Sequence, residues 1–443
     1  MAEEDSPFYT FPLSTSPVLP VVSSSSTSSS SDQHPPAASS AAQMRRLLIS
    51  CAELLSQSNI LAAHNLVSFL SSTSSPYGDS TERLVHQFAR ALSIRLNRVA
   101  SVSLMPSLSS SIAHRHPHFL PPPPPLHSHT NSTRFQEEEA SLLDHHQLQS
   151  SYICLNQVTP FIRFCHLTAN QAILEVIEGQ HSIHILDFDI VMQGVQWPPL
   201  MQAIAGMPNP PNMLRITGTG YHIESLRRTG QRLENFAESL GLRFQFHPLV
   251  LVESSSVAMQ LSSSIGLLHE ETLVVNCVLY LHRLLNTSDD EVRLFLRTIK
   301  AMNPKVVTLA EREAYLNHPI FSNRFLETLD HYTALFDSME ATLPPTNTER
   351  IAVEQVWLGR EIVNVVSAEG EERRERYERF QNWAEKMRRS GFENIPLSPF
   401  AVSQAKLLLR LHYPCEGYQL QILNDSLFLG WQNHALFSVS SWH

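Results

Sequence analysis

At 443 residues the chain is long enough for about three domains, but its low-complexity stretches reduce that to one large globular unit or two closely joined ones. Hydrophobic residues make up 42% of it, enough for a sizeable core, and the absence of any run of about eighteen apolar residues excludes a membrane-spanning helix. A net charge of −10 excludes a polycation, so nucleic acid would have to be met through a local patch.

From the amino end, Met1-Ala2-Glu3-Glu4-Asp5 is acidic where a secretory signal is basic and then apolar, so secretion is not expected. Residues 1–42 are rich in Ser, Pro and Thr, with a near-pure serine tract from Ser23 to Ser31, and are read as a disordered leader. A helical region follows. Leu47, Leu48, Cys51, Leu54 and Leu55 recur at three- and four-residue spacing, and Leu66, Val67 and Leu70 repeat the pattern. Asp79-Ser80-Thr81-Glu82 has the spacing of a capping box and opens a helix with the stripe Leu84, Phe88, Leu92, Leu96 and Val99. A second low-complexity segment covers 101–151, with His114-Arg115-His116-Pro117-His118, Pro121 to Pro125 and Glu137-Glu138-Glu139. Nothing there fixes a ligand geometry for the histidines, so no metal is expected. A third helical stretch runs roughly from Tyr152 to Glu178.

From Gly179 the period changes. Short apolar runs appear at Ser182 to Phe188, Met213 to Thr217, Arg243 to Leu249, Leu273 to Leu281 (interrupted by Asn276) and Val306 to Ala310. Helical patterns at Glu224 to Leu240, Glu291 to Met302 and Phe321 to Leu335 alternate with them, which predicts a parallel sheet with right-handed crossovers. A charged helix is expected over Glu371 to Arg389. The carboxyl end alternates differently: Tyr418 to Ile422, a turn at Asn424-Asp425, Leu427 to Gln432, then Leu436 to Trp442, an antiparallel finish. The fold class expected is α/β: a doubly wound, seven-stranded, methyltransferase-like sheet, mostly parallel, with antiparallel C-terminal strands.

In such a sheet a ligand lies at the carboxyl ends of the strands. The loop after the first strand, Asp187-Phe188-Asp189-Ile190-Val191-Met192-Gln193-Gly194, has one glycine and bulky Val191 and Met192 in the approach path. The second strand runs into Thr217-Gly218-Thr219-Gly220 where an acid for ribose hydroxyls belongs. Both features argue against a nucleotide or adenosyl cofactor. No G-x-S-x-G, G-x-x-x-x-G-K or H-E-x-x-H occurs. Asp187, Asp189, Glu311 and Glu313 at strand ends admit an acid–base pair, but carboxylates that face a crevice or pair with Arg312 read the same, and the structural role is preferred. Five scattered cysteines (Cys51, Cys154, Cys165, Cys277, Cys415) without a CxxC pair read as reduced thiols. The cationic residues are four lysines and 28 arginines, and arginine favours bidentate, interface pairing. An arginine patch formed by Arg373, Arg374, Arg376, Arg379, Arg388 and Arg389 is the candidate for direct DNA contact. Glu371, Glu372, Glu375, Glu378 and Glu385 interleave with it, which favours a salt-bridged solvated face.

His184-Ile185-Leu186-Asp187-Phe188, followed by Gln193-Gly194-Val195-Gln196-Trp197-Pro198, resembles the "VHIID" signature of the GRAS family of plant transcriptional regulators. Leucine-rich segments flank it, Thr168 to Glu175 precedes it and Leu214-Arg215-Ile216-Thr217-Gly218 follows. Pro304, Phe325, Tyr332, Arg360 and Glu361 resemble the "PFYRE" region, and Trp431, Leu436, Ser440, Ser441 and Trp442 the closing "SAW" motif, with Ser where the name has Ala. The resemblance implies a leader (1–42) and a GRAS domain (43–443). Its parts are a leucine-rich region I (43–178, with the insertion 101–151), a VHIID region (179–219), a leucine-rich region II (220–300), a PFYRE region (301–392) and a SAW region (393–443). It further implies an α-helical cap on the methyltransferase-like core. The function implied is that of a nuclear, non-enzymatic regulator of transcription without cofactor, acting through other transcription factors such as zinc-finger or GRAS-family proteins, with homo- or heterodimer formation. DNA would be contacted mainly indirectly, and membranes not at all. The leader and the Pro- and His-rich insertion are most similar to the Lateral suppressor branch, implying control of axillary meristem initiation and shoot branching. Direct DNA binding through the arginine patch and a cryptic S-adenosylmethionine-dependent methyltransferase are the alternatives. Arg360-Glu361 is expected to be a structural ion pair, and Trp431 and Trp442 to pack the core.

Overall fold

The computed structural model describes residues 37–103, 147–252, 255–268, 270–286 and 288–443. The expected leader up to residue 36 and the expected insertion over 104–146, including the histidine run, lie outside the described residues, as does the side chain of Val191.

Helix α1 (Ala37–Ser56) begins inside the segment expected to be leader. Ala37, Ala38, Ala41 and Ala42 have the highest intrinsic helix propensity, which carries the helix across the expected boundary. Helix α2 (Ile60–Thr73) follows a turn capped by Asn59, whose side chain accepts from the Ala62 N–H. Helix α3 (Ser80–Ser103) opens on a reciprocal capping box. The Glu82 N–H donates to Asp79 Oδ1 at 2.8 Å, and the Asp79 N–H donates to Glu82 Oε2 at 3.3 Å. The single stretch expected over Tyr152 to Glu178 is two helices, α4 (147–158) and α5 (Pro160–Ile177). Thr159 is extended and Pro160 has no N–H to offer the preceding turn, so the helix restarts there.

Five parallel strands form the centre: β1 (Ser182–Asp187), β2 (Met213–Gly220), β3 (Phe244–Val250), β4 (Thr272–Val278) and β5 (Val306–Arg312). Between them run α6 (Ile190–Gln193), α7 (Trp197–Ala205), α8 (Ile223–Ser239), α9 (Val257–Ser264) and α10 (Asp290–Ala301). After β5 come α11 (Phe321–Thr342), α12 (Thr348–Ala352), a π-helical turn (Val353–Leu358), α13 (Gly359–Ser367) and α14 (Phe380–Arg389). The two-residue β6 (Asn394–Ile395), α15 (Pro399–His412), β7 (Tyr418–Leu423), β8 (Ser426–Trp431) and β9 (His434–Trp442) complete the chain. The strand order is β3-β2-β1-β4-β5-β9-β8-β7, with β9 antiparallel to β5 and β6 paired to β9. That is nine strands where seven were expected. The antiparallel finish has three long strands, joined by tight turns in which Asn424, Asp425, Gln432 and Asn433 adopt positive φ, and β6 adds a ninth.

Alternate strand residues face opposite layers. Ile183, Ile185, Leu214 and Ile216 pack with Trp197, Leu200 and Leu233 on one face. Leu186, Val275 and Leu309 pack with Phe295, Trp383 and Met387 on the other. The leucine stripe of α1–α3 is buried inside the chain, where Leu48, Cys51, Phe88 and Leu92 join Phe325, Leu329, Leu335 and Ile362 of α11 and α13 to make the helical cap. Each such side chain contributes about 1.5–3 kcal/mol on burial. Buried arginines tie the cap together. Arg83 donates to Glu354 (2.7 Å) on the π-helical turn and to Glu340 (2.7 Å), and Arg350 donates to Glu340 at 3.1 Å.

The helix expected over Glu371 to Arg389 exists only from Phe380. Gly370–Glu372 is a 3-10 turn, and 373–379 has no regular structure. The loop after β5 takes this strap's backbone, since the Leu316 and Asn317 N–H groups both donate to the Tyr377 carbonyl. Tertiary bonding therefore overrides the helical period of the charges.

Candidate functional site

The carboxyl ends of β1, β2, β4 and β5 form the mouth of the sheet. Asp187, the last residue of β1, is fully buried. Its two oxygens accept from Trp197 Nε1 and from Asn276 Nδ2, both at 2.8 Å. Asn276, the polar interruption noted in the apolar run, accepts on Oδ1 from Thr308 Oγ1 (2.7 Å) and Gln196 Nε2 (3.1 Å). Gln196 Nε2 also donates to Asn170 Oδ1, and Asn170 Nδ2 donates to the Gln196 carbonyl, both at 3.0 Å. One buried polar network thus joins β1, β4, β5, α5 and the start of α7. Burial raises the Asp187 carboxyl from 3.8 to about 7, against the pull of its two donors.

The loop leaving β1 turns at Asp189, which adopts the left-handed conformation (φ 59°, ψ 45°), and then coils into α6. Ile190 lies against Gly218 of β2, where an added Cβ would meet Ile190 Cγ2 at 2.6 Å. Gly194 has an ordinary helical φ, and a Cβ there would sit 3.1 Å from Thr229 Cγ2. The loop's one glycine serves close packing on α8, not approach to a phosphate. Arg283 donates to the Asp189 carboxylate, and the Asp189 N–H donates to Thr219 Oγ1 at 3.1 Å. Strand β2 continues through Gly218-Thr219-Gly220 instead of ending at Thr217, because Thr219 and Gly220 pair with Leu249 and Val250. Ile190 packed on Gly218, and the hydrogen bonds that Asp187, Trp197, Asn276 and Gln196 make to one another, do not fit an adenosyl or nucleotide cofactor, which needs open backbone and free polar groups here.

The other strand-end carboxylates are engaged separately. Glu311 accepts from the His282 backbone N–H (3.1 Å) and Nδ1 (2.9 Å), and the His282 ring lies 4.2 Å from that of Tyr377. Glu313 accepts from the Phe380 N–H at 3.0 Å and from Ser438 Oγ at 2.5 Å. Among the described residues no ion pair joins Arg312 to Asp187, Asp189 or Glu311. Its ion partner is Glu361 at 2.7 Å, and its guanidinium lies between the rings of Tyr377 (5.2 Å) and Phe437 (5.4 Å).

The motif residues fall into place around this mouth. His184 sits in β1 with Nε2 2.8 Å from Thr217 Oγ1, while Arg215 donates to Nδ1 at 3.1 Å. Burial and Arg215 push it down to about 4, so it is neutral and its 3.5 Å approach to Glu271 is not an ion pair. Ile185 and Leu186 are core residues of opposite faces, and Phe188 stacks on Tyr280 at 4.8 Å. In the second motif, Tyr332 Oη donates to Glu361 at 2.9 Å, so Tyr332 and Glu361 meet with Arg312 and join α11, α13 and β5. Phe325 packs edge-on to Phe88 of the cap at 5.5 Å, and Pro304 is buried just ahead of β5. The pair expected between Arg360 and Glu361 does not form. Adjacent residues on α13 point apart, and Arg360 is exposed without an ion pair among the described residues. In the third motif, Trp431 and Trp442 are buried, Trp431 against Tyr418 (4.9 Å), and Trp442 Nε1 donates to Ser440 Oγ at 2.8 Å. Leu436 is buried, and Ser441 Oγ donates to the Ile395 carbonyl at 2.9 Å.

The arginine patch is not one face. Arg373 donates to the Leu316 carbonyl (2.8 Å) and Arg376 to Asn317 Oδ1 (3.0 Å) and the Gly370 carbonyl (2.7 Å), and both are buried. Arg379 pairs with Glu327 at 2.8 Å. Arg389 pairs with Glu385 one turn away on α14. Among the described residues no group of three or more His, Cys, Asp or Glu side chains is placed to hold a metal ion, and no helix is long and apolar enough to cross a membrane.

A nine-stranded doubly wound sheet with an antiparallel finish, an attached helical cap and a mouth whose polar side chains bond one another defines a methyltransferase-like scaffold. The chain belongs to the GRAS domain family, whose profile matches residues 44–443. It is 50% identical to Scarecrow-like protein 18 of Arabidopsis thaliana over 413 residues, covering 89% of this chain and 90% of that one. It is 41% identical to Protein MONOCULM 1 of Oryza sativa subsp. japonica over 423 residues, covering 89% and 87%. The crystal structure of SCL7 in Oryza sativa superimposes with a TM-score of 0.71 at 34% identity, over 90% of this chain and 99% of that one. These relatives are plant regulators of the GRAS family, which supports a plant regulatory role.

Proposed function

We propose that this chain is a non-enzymatic nuclear regulator of transcription that works by binding other proteins, DNA-binding zinc-finger or GRAS-family factors among them. The observation that carries the reading is the occupied mouth, where Ile190 rests on Gly218 and the Asp187–Trp197–Asn276–Gln196 network uses the groups a small molecule would need. A scaffold so filled is free to use its outer faces for recognition. The developmental part, control of axillary meristem initiation and shoot branching, rests on the resemblance of the leader and the Pro- and His-rich insertion to the Lateral suppressor branch. Purification of the tagged full chain from nuclei of shoot tissue, followed by mass spectrometry, tests the reading. Recovery of transcription factors is expected, and their absence across several tissues contradicts it.

Direct DNA contact is the second reading. Arg293 and Arg297 of α10 and Lys386 and Arg389 of α14 gather around one groove of about 360 Å³, which also contains Asp289. Steeply salt-dependent duplex binding, lost on replacing Arg293 and Arg297, would favour this reading over the first.

A further inference from the structure

The sheet has two edges, and they differ. Strand β3 carries Pro248, which has no N–H to offer a further strand. Strand β7, at the other edge, is Tyr418-Gln419-Leu420-Gln421-Ile422-Leu423, with no proline and no charge. It pairs with β8 alone and without a bulge. The Gln432 N–H donates to the Gly417 carbonyl at 2.9 Å, so by antiparallel alternation the ladder bonds fall at 417, 419, 421 and 423. The backbone N–H and C=O groups of Tyr418, Leu420 and Ile422 therefore point away from β8, and no other strand of the described residues takes them up.

Beside this edge, between β7 and α15, lies a groove of about 580 Å³. Leu409, Tyr413, Tyr418 and Leu420 form its apolar floor, and Glu416 and Pro414 lie at one end. The side chains of Tyr418, Leu420 and Ile422 share the sheet face that looks into it, and Ile422 is 59% exposed. Lys406 and Arg410, one turn apart on α15, stand on the rim, exposed and without an ion pair among the described residues.

We propose that the β7 edge and this groove bind an extended segment of a partner protein whose groove-facing positions, every second residue, carry both Val or Ile and Asp or Glu. The segment adds as a further strand to β7 and sets its apolar side chains beside Leu420 and Ile422. Its carboxylates meet Lys406 and Arg410. Charge selects a partner over a second copy. Two copies paired edge to edge about a two-fold axis would bring four cations together on one face against two glutamates. The inference rests on the reading of the chain as a protein-binding regulator and names a surface for it.

The test uses the purified full chain and two fluorescent synthetic peptides with Thr at every second position, one carrying Glu, Val and Ile at the positions between, the other carrying Lys in place of Glu. Anisotropy should show the acidic peptide binding at least about tenfold more tightly than the basic one. Lys406→Glu with Arg410→Glu, both on an exposed helix face, should weaken the acidic peptide at least about tenfold. Ile422→Pro removes an outward N–H without touching a ladder bond and should abolish strand addition, with circular dichroism and melting as fold controls. His247→Ala on the β3 edge should leave binding unchanged. Equal affinity for the two peptides, or indifference to the rim substitutions, overturns the proposal, and so does a wild-type dimer that Ile422→Pro dissociates. If Ile422→Pro still recovers the same factors from nuclei while peptide binding fails, this surface is refuted and the protein-binding reading stands.

Discussion

Replacing Trp197 by Phe keeps an aromatic ring in the core and removes one hydrogen-bond donor from a buried carboxylate. Asp187 has its folded-state value raised from 3.8 to about 7. A raised carboxyl favours folding in the protonated form. Its stabilising contribution is whole below the unfolded value, declines as pH rises between the two values, and is constant above about 7. The change from 3.8 to about 7 corresponds to a loss of about 4 kcal/mol across that window. Without the 2.8 Å donor from Trp197, Asn276 and the Phe188 backbone N–H still stabilise the ionised form. A further rise of about one unit is then expected, about 1.4 kcal/mol of additional destabilisation felt only above pH of about 7. The smaller ring adds a pH-independent cost of about 1–2 kcal/mol. Urea unfolding of both proteins at pH of about 6 and about 9 measures this, and the difference between them should grow by about 1.4 kcal/mol from the first to the second. In an Asp187→Asn background the growth should vanish. The same difference at both pH values would refute the assignment of Asp187 as a buried titrating centre held by Trp197.

Glu361→Gln leaves the Arg312 guanidinium buried without its counter-ion and should lower stability by about 3–5 kcal/mol. Arg360→Ala next to it should change stability by no more than about 0.5 kcal/mol in the same denaturation assay. Gly218→Ala drives a Cβ to 2.6 Å from Ile190 and should cost about 1–3 kcal/mol, less when Ile190 is replaced by Ala, a coupling that a double-mutant cycle reads directly. Under native conditions a thiol reagent should label the half-buried Cys154 and Cys415 before the buried Cys51, Cys165 and Cys277, the first of these pushed up to about 12 by burial.

The five parallel strands were legible because their apolar runs are short, continuous and bounded by turn residues, and the capping box at Asp79 was legible because its two bonds are local. Helix breaks that depend on a single residue, such as Pro160, were blurred by the surrounding period. The charge period of 373–379 predicts helix, whereas what holds that strap, the hydrogen bonds from Leu316 and Asn317 to Tyr377, joins residues about sixty apart in sequence. The crowded loop after β1 could be read from its lack of glycine, although what fills the mouth, Ile190 on Gly218, is visible only in three dimensions. Arg312 was weighed as a partner for the strand-end acids, yet it crosses to Glu361 on α13, a pairing that sequence adjacency assigned to Arg360. A usable signal did exist for the polar network. Asn276 interrupts an otherwise apolar buried strand, and an amide in that position requires partners.

Ile190 packs on Gly218, Gln196 and Trp197 bond Asn276 and Asp187, and Arg283 pairs with Asp189, so the groups at the mouth are engaged with one another. Calorimetric titration of the full chain with S-adenosylmethionine addresses this most directly. No binding heat is predicted up to a concentration of about 1 mM, whereas saturable binding with a Kd on the order of micromolar would contradict the account.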